Sequence, residues 1–357
     1  MNHPIDVLPR EPVVCFWEIT DACNLRCVHC EQNAGTRAPD ELDTDEALKL
    51  ADDLATAGCR CVNLTGGEPL LRPDWDKIAR RLADRGVTVV VISNGTRIDE
   101  AMVGRMLDAG VAAAAVSLDG DREVHDEIRV PAARSTGSVY DAALHALDLL
   151  AATPLKTAVI TQIHRRNVDR LEAMRDVLAA RRVDTWQLQI AMPLGRLLEY
   201  RARYLIEPAD LPRLHERLAA LIADGRVPIK VADNIGYYGR EEPIFRRRAD
   251  GEAAFWVGCM AGCRVAAVCS NGDVKGCPSH PRAFVVGSVR ETPFAEIWAD
   301  AERFAYNTRW KDERLVGGCA KCPFRSICRA GCRTMAYSVT GTIYDNPFCI
   351  QRIERRT

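Results

Sequence analysis

The chain has 357 residues, and 48 Lys plus Arg stand against 49 Asp plus Glu, so no overall basic field draws it to nucleic acid or to an anionic membrane. No charged-then-apolar segment opens it and no apolar run is long enough to span a bilayer, which points to a cytoplasmic protein in a reducing compartment. Such a length suits a large α/β domain of about 200 residues with a smaller second unit.

Six apolar, β-branched runs alternate with five amphipathic stretches along the first half of the chain. In order they are a strand over 13–20, a helix over 45–57, a strand over 61–65, a helix over 74–85, a strand over 87–93 and a helix over 98–109. A strand over 112–118, a helix over 139–151, a strand over 156–162, a helix over 168–181 and a strand over 185–190 complete the series. Strands separated by helices are parallel with right-handed crossovers, so the fold class is α/β: a doubly wound sheet or a (β/α) barrel. Ligands in such folds sit at the carboxyl ends of the strands.

The least ordinary residues fall on that rim. CNLRCVHC, with Cys23, Cys27 and Cys30, follows the first strand; GGEP (Gly66, Gly67, Glu68, Pro69) follows the second. Ser93 and Asn94 end the third strand, and Ser117 and Asp119 end the fourth. Three closely spaced cysteines without a fourth make a poor zinc site, whereas a [4Fe-4S] cluster held by three thiolates keeps one iron open to another ligand. Glycines let a backbone approach a ligand closely, Glu68 offers an acceptor for an amine, and Ser93, Asn94, Ser117 and Asp119 suit ribose hydroxyls or a carboxylate. An amino acid joined to a nucleoside would satisfy all of them.

Fifteen cysteines fall into tight groups with none between Cys61 and Cys259, which favours metal over disulfides. The late group comprises Cys259, Cys263, Cys269, Cys277, Cys319, Cys322, Cys328, Cys332 and Cys349. Cys15, Cys59 and Cys61 lie in or beside apolar strands and read as small buried hydrophobes. The arginine run Arg246, Arg247, Arg248 reads as solvated surface.

The C-x3-C-x2-C trio with an aromatic His29 before its last cysteine, followed by GGEP, resembles the radical S-adenosylmethionine (SAM) superfamily. The late cysteine pattern, with G-x4-C from Gly272 to Cys277, resembles its SPASM extension. The resemblance implies a partial (β/α)6 barrel over 1–200, a bridging helix and substrate-side linker over 201–254, and a small cysteine-rich domain over 255–357. It implies SAM chelated by the open iron and reductively cleaved to a 5′-deoxyadenosyl radical, which abstracts hydrogen from an unactivated C–H bond. Gly66, Gly67 and Glu68 would lie at the methionine amine with Pro69 beside them, Ser93 and Asn94 near ribose, and Ser117 and Asp119 near ribose or carboxylate. Arg129 is the candidate for the carboxylate, with Arg134 as its rival.

By the same resemblance three [4Fe-4S] clusters are expected: one on Cys23, Cys27 and Cys30, one on Cys259, Cys263, Cys277 and Cys332, and one on Cys319, Cys322, Cys328 and Cys349. Cys269 is surplus; it stands as a replacement ligand or as a thiol able to return a hydrogen atom to a substrate radical. Two zinc sites are the alternative for the late group. An external electron donor such as flavodoxin or ferredoxin is implied.

The segment 231–245 carries Asp233, Tyr237 and Glu241, candidates for substrate binding or for accepting a proton. Gln187, Gln189, Met192, Leu194 and Gly195 are placed along the same cavity. The stretch before Cys23 is too short for a fused peptide-recognition domain, and the bridging segment is polar. Both lean towards dehydrogenation of a hydroxylated small molecule such as an aminosugar or cyclitol. The alternatives are maturation of a ribosomally made peptide and, in a different class, a non-catalytic metal-binding protein.

Overall fold

The computed structural model describes residues 3–7, 9–133, 137–247 and 254–355. Six parallel strands form its centre: β1 (Val14–Thr20), β2 (Cys61–Gly66), β3 (Thr88–Ser93), β4 (Ala113–Ser117), β5 (Lys156–Ile163) and β6 (Thr185–Ile190). Each pairs with the next in chain order, from Val14 opposite Cys61 to Ala158 opposite Thr185. These are the six strands expected from the sequence.

The sheet does not stop there. β7 (Ile229–Val231) adds in parallel beside β6, and β8 (Val265–Val268) adds in parallel on the free edge of β1. β9 (Asp273–Lys275) and β10 (Gly287–Ser288) then run antiparallel, giving ten strands in the order β10-β9-β8-β1-β2-β3-β4-β5-β6-β7. β7 and β9 are too short to display an alternation, and β8 depends on a partner at the opposite end of the chain, so local periodicity carries no sign of them. The sheet runs across the divisions drawn at 200 and 254.

Helices cover the strands where the apolar period predicts. α1 (Thr44–Thr56) starts at Asp43, whose side chain accepts from the Glu46 N–H while the Glu46 carboxylate accepts from the Asp43 N–H. α2 (Trp75–Asp84), α3 (Glu100–Asp108) and α5 (Val139–Ala151) each bury one stripe, such as Ile78, Ala79 and Leu82 of α2. α4 (Arg122–Ile128), capped by Asp121, was not expected; it is short and too polar to show a period. The helix expected over 168–181 opens with a 3-10 turn, Val168–Arg170, before α6 (Leu171–Ala179). The Asn167 Oδ1 accepts from the His164 N–H at 2.8 Å while its Nδ2 donates to the Asp119 and Gln162 carbonyls, so no side-chain acceptor is left for the helix start. α7 (Leu197–Tyr204) and α8 (Leu211–Asp224) follow, the latter ending at Gly225 in the left-handed region.

Most apolar residues of strands and helices merge into one core that also takes in Ala266, Val268, Val274, Phe294 and Phe348 from the C-terminal part, while Val124 and Ile128 of α4 pack with Leu197 and Tyr204 of α7 in a smaller cluster. Among the described residues no helix is long and apolar enough to cross a membrane. Arg246 departs from the surface reading. Its side chain is 10% exposed, lies over the Trp256 ring and faces Asp233 and Glu242, each at 3.7 Å; Arg248 and Arg134 lie outside the described residues.

Candidate active site

The loop after β1 carries Cys23, Cys27 and Cys30 and is pinned from several sides. Cys23 N–H donates to the Gly35 carbonyl, Arg26 and Val28 N–H to the carbonyls of Val130 and Ile128, and the Arg196 guanidinium to those of Cys27 and Ala34. The buried Glu41 carboxylate collects Thr20 Oγ1, Asp21 N–H and Ala38 N–H and closes the loop's far end. A Cβ on Gly195 would stand 2.2 Å from the Cys30 carbonyl, so the chain after β6 can approach only without a side chain. The loop is therefore held before any ligand arrives.

The three cysteines line one cavity of about 210 Å³ with His29, Gly66, Gly67, Ser93, Asn94, Ser117, Arg129 and Gln162. Burial pushes the Cys27 thiol up to about 12 against the pull of the Arg129 guanidinium, whose Nη1 lies 3.9 Å from Sγ. Protonated buried thiols become thiolates when a metal replaces the proton. Three such donors on one pinned loop fit a [4Fe-4S] cluster with one iron left open.

GGEP packs closely against the end of β1 and the residues that follow it. A Cβ on Gly66 or Gly67 would lie 2.2 Å from the Thr20 or Ala22 carbonyl, and Gly67 and Glu68 N–H donate to those two oxygens. Glu68, expected at an amine, is fully buried and outside the cavity wall. Its oxygens accept from Ser93 Oγ, Asn94 N–H and Leu70 N–H, while burial lifts its carboxyl to about 7. It ties the ends of β2 and β3 together, and Pro69 starts the short helical turn beneath it. Ser93, Asn94 and Ser117 do line the cavity; Asn94 Nδ2 also holds Asn24 of the cysteine loop.

Asp119 is likewise not in the wall. It is fully buried, 2.7 Å from Arg129 Nε and 3.0 Å from His29 Nε2, and accepts from Gln162 N–H. Burial alone would raise its carboxyl, but Arg129 and His29 outweigh that and hold it well below the usual carboxylate range. Asp119 thus sets Arg129 and His29, which do reach the cavity.

A second cavity of about 440 Å³ shares Glu31, Gln32 and Ser279 with the first and opens towards the C-terminal strands. Glu18, Cys269, Lys275 and His280 line it, as do Leu194 and Gly195. Glu18, Glu31, Lys275 and His280 were missed in the sequence. A carboxylate inside the apolar run VVCFWEIT was the available signal for the first of them. Cys269 lies here, beside Lys275 and Glu18, and burial pushes its thiol up to about 12.

The bridging segment is elsewhere. Tyr237 is 1% exposed, its oxygen accepts from Cys332 N–H at 2.6 Å, and its ring fills the space a Gly331 side chain would need. Glu241 stands 3.8 Å from His215 Nδ1. Asp233 carries influence to the Cys259 and Cys332 thiols. None of the three lines either cavity.

The late cysteines form two groups. Cys259, Cys277 and Cys332 act on one another electrostatically, as do Cys319, Cys322, Cys328 and Cys349, while buried Cys263 lies near Arg10 and Tyr306. No disulfide joins any two cysteines among the described residues. Among the described residues no three His, Cys, Asp or Glu side chains gather around a single metal-ion position. Arg333 is fully buried between the groups, with Nη2 on Asn307 Oδ1, and Asn307 in turn binds the Cys259 carbonyl.

Comparison with known proteins agrees with this arrangement. Residues 17–178 match the radical SAM superfamily, and residues 259–323 match an iron-sulfur cluster-binding domain, SPASM. An AdoMet-dependent heme synthase of Methanosarcina barkeri is 32% identical over 97% of this chain and 98% of its own. The mycofactocin maturase MftC of Mycobacterium ulcerans is 30% identical over 98% and 90%. Among solved structures, native anSMEcpe with bound AdoMet superposes with a TM-score of 0.74 at 15% identity, over 96% of this chain and 95% of that one. Streptococcus suis SuiB bound to S-adenosylmethionine gives 0.72 at 15%, over 95% and 76%.

Proposed function

The chain belongs to the radical SAM superfamily and carries a SPASM iron-sulfur cluster-binding domain, and from that premise we propose that it matures a ribosomally made peptide. One observation carries the choice of substrate: the larger cavity is lined by many charged and amide side chains and shares Glu31, Gln32 and Ser279 with the SAM-side cavity. A trough of that kind suits backbone amides and polar side chains. The relatives named as maturases, and the same fold bound to precursor peptide SuiA in SuiB, support the reading.

When bound, the cluster and SAM supply a carbon-centred radical able to take hydrogen from an unactivated C–H bond. The chain's own task is to hold and shield. Cys23, Cys27 and Cys30 would ligate the first cluster, Arg129 would meet the SAM carboxylate, and Gly66, Gly67, Ser93, Asn94 and Ser117 would line the rest of its seat. The late cysteines would ligate two auxiliary clusters, and a small reduced carrier such as flavodoxin or ferredoxin would supply electrons in a reducing compartment.

This displaces the aminosugar or cyclitol dehydrogenase expected from the sequence. The polar bridging segment that favoured it is turned against Cys332 and His215 and not towards the cavities, and the relatives are named for heme synthesis and maturation. A second reading, action on an iron tetrapyrrole, is favoured by the match over 97% of this chain to the heme synthase.

The test uses anaerobically reconstituted protein with SAM, a reductant and the short peptides encoded beside its gene. We expect 5′-deoxyadenosine and a mass change in one peptide, both lost in Cys27→Ala. Unchanged peptides together with a consumed iron porphyrin carboxylate would overturn the maturase in favour of the second reading.

A further inference from the structure

The larger cavity has a charge pattern that the proposed maturase does not by itself require. Glu18, Asp21, Glu31, Asp40 and Asp273 line it against Lys275 and Arg282. Lys275 is spent: its ammonium donates to the Pro278 carbonyl at 3.0 Å, lies 3.8 Å from Glu18 and reaches Cys269. The Arg282 side chain is 90% exposed, 3.8 Å from Asp273, and leaves the inner wall anionic.

Two buried groups in that wall carry atoms that take part in no hydrogen bond among the described residues, one of them Glu18 Oε1, which faces the Lys275 ammonium at 3.8 Å. Glu18 is 5% exposed, and its Oε1 receives no hydrogen bond. His280 is 2% exposed, wedged against the Phe284 and Tyr306 rings with centroids 4.7 and 5.3 Å away, and neither ring nitrogen is paired. Burying a polar atom without a hydrogen bond is costly, so two such side chains in one cavity mark places where a ligand's donors belong.

We propose that this cavity seats a cationic side chain of the substrate, an alkylammonium or guanidinium group, with Glu18 Oε1 and a ring nitrogen of His280 accepting its N–H groups. The proposal rests on the peptide reading and narrows it to substrates with Lys-like or Arg-like residues beside the position modified. The anionic wall would disfavour the carboxylates of a tetrapyrrole, so the same charges separate the two readings above.

The experiment measures binding of three probes to the anaerobic holoenzyme by equilibrium dialysis: acetyl-Ala-Lys-Ala-amide, the same peptide with norleucine, and the same with glutamate. The Lys probe should bind about tenfold or more tighter than the norleucine probe, as one charge-assisted hydrogen bond provides, with the Glu probe weakest. Glu18→Gln should bring the Lys-to-norleucine ratio near one. His280→Phe, which keeps the ring packing, should lower it, and iron content and circular dichroism report whether each variant has folded. Equal binding of the Lys and norleucine probes, or a preference that survives both substitutions, overturns the cation seat. If that happens while a precursor peptide is still modified, the maturase stands; if no peptide is modified either, both fall.

Discussion

Asp119 sits at the end of β4 and answers to three parts of the chain at once: His29 in the cysteine loop, Arg129 at the end of α4, and the Gln162 N–H of β5. Replacing one partner of a buried ion pair leaves the other uncompensated, at about 3–5 kcal/mol. Asp119→Asn keeps the shape but removes the charge that holds Arg129. We expect the urea midpoint of the holoprotein to fall and SAM affinity to weaken; an unchanged midpoint with unchanged SAM titration would show that Arg129 is held by the cysteine thiols alone. At this scale the sequence was informative about residue type and less so about role. Ser93, Asn94 and Ser117 were legible from their position at strand ends, and Arg129 only through the family resemblance. Glu68 and Asp119 were legible as special, but their partners are the protein's own N–H groups and side chains, and a sequence does not say whether an acceptor faces inward to the fold or outward to a ligand.

α1 illustrates a contact between elements that a sequence hides. Its capping Glu46 also receives two hydrogen bonds from the Arg290 guanidinium, which further donates to the Asp40 and Glu41 carbonyls. Those bonds from Arg290, with the Asp43 N–H, draw the Glu46 carboxyl down to about 2 from an ordinary value of 4.5. A folded value below the unfolded one stabilises fully above about pH 4.5 and is lost as pH falls towards 2. The site is near the surface, so the effect is about 1 kcal/mol or less. The difference in unfolding free energy between wild type and Glu46→Ala should be present at pH 7 and narrow at pH 3.5; a constant difference would assign the whole effect to helix propensity. The capping box itself was readable as D-x-x-E, whereas Arg290 lies far along the chain. β7 and α4 escaped detection for a simpler reason: three residues, or seven mostly polar ones, carry no usable period.

The whole molecule is one sheet with cysteine-bearing loops packed against it. Residues 255–355 contribute β8 to β10, but much of the remainder is single helical turns, such as Gly317–Ala320 and Arg325–Cys328. Segments so poor in regular structure gain order when thiolates bind metal. Removing iron with a chelator should therefore raise amide exchange first in the loops around Cys319 to Cys349, then at β8 to β10, and least in β2 to β5. Uniform loss of protection across the sheet would count against separate stabilisation of the C-terminal part. The six parallel strands and the grouping of cysteines were legible in the sequence; the union of the two halves was not, because it depends on which edge of β1 remains free.

That edge has a consequence for how the chain is made. β1 leaves the ribosome before either of its neighbours, yet it ends up interior, with β2 on one side and β8 on the other. Until Val265–Val268 has been synthesised, β1 has no partner on that flank. Nascent chains arrested before that point would be candidates for chaperone capture or edge-to-edge aggregation, and that flank of the sheet would close only once β8 has emerged.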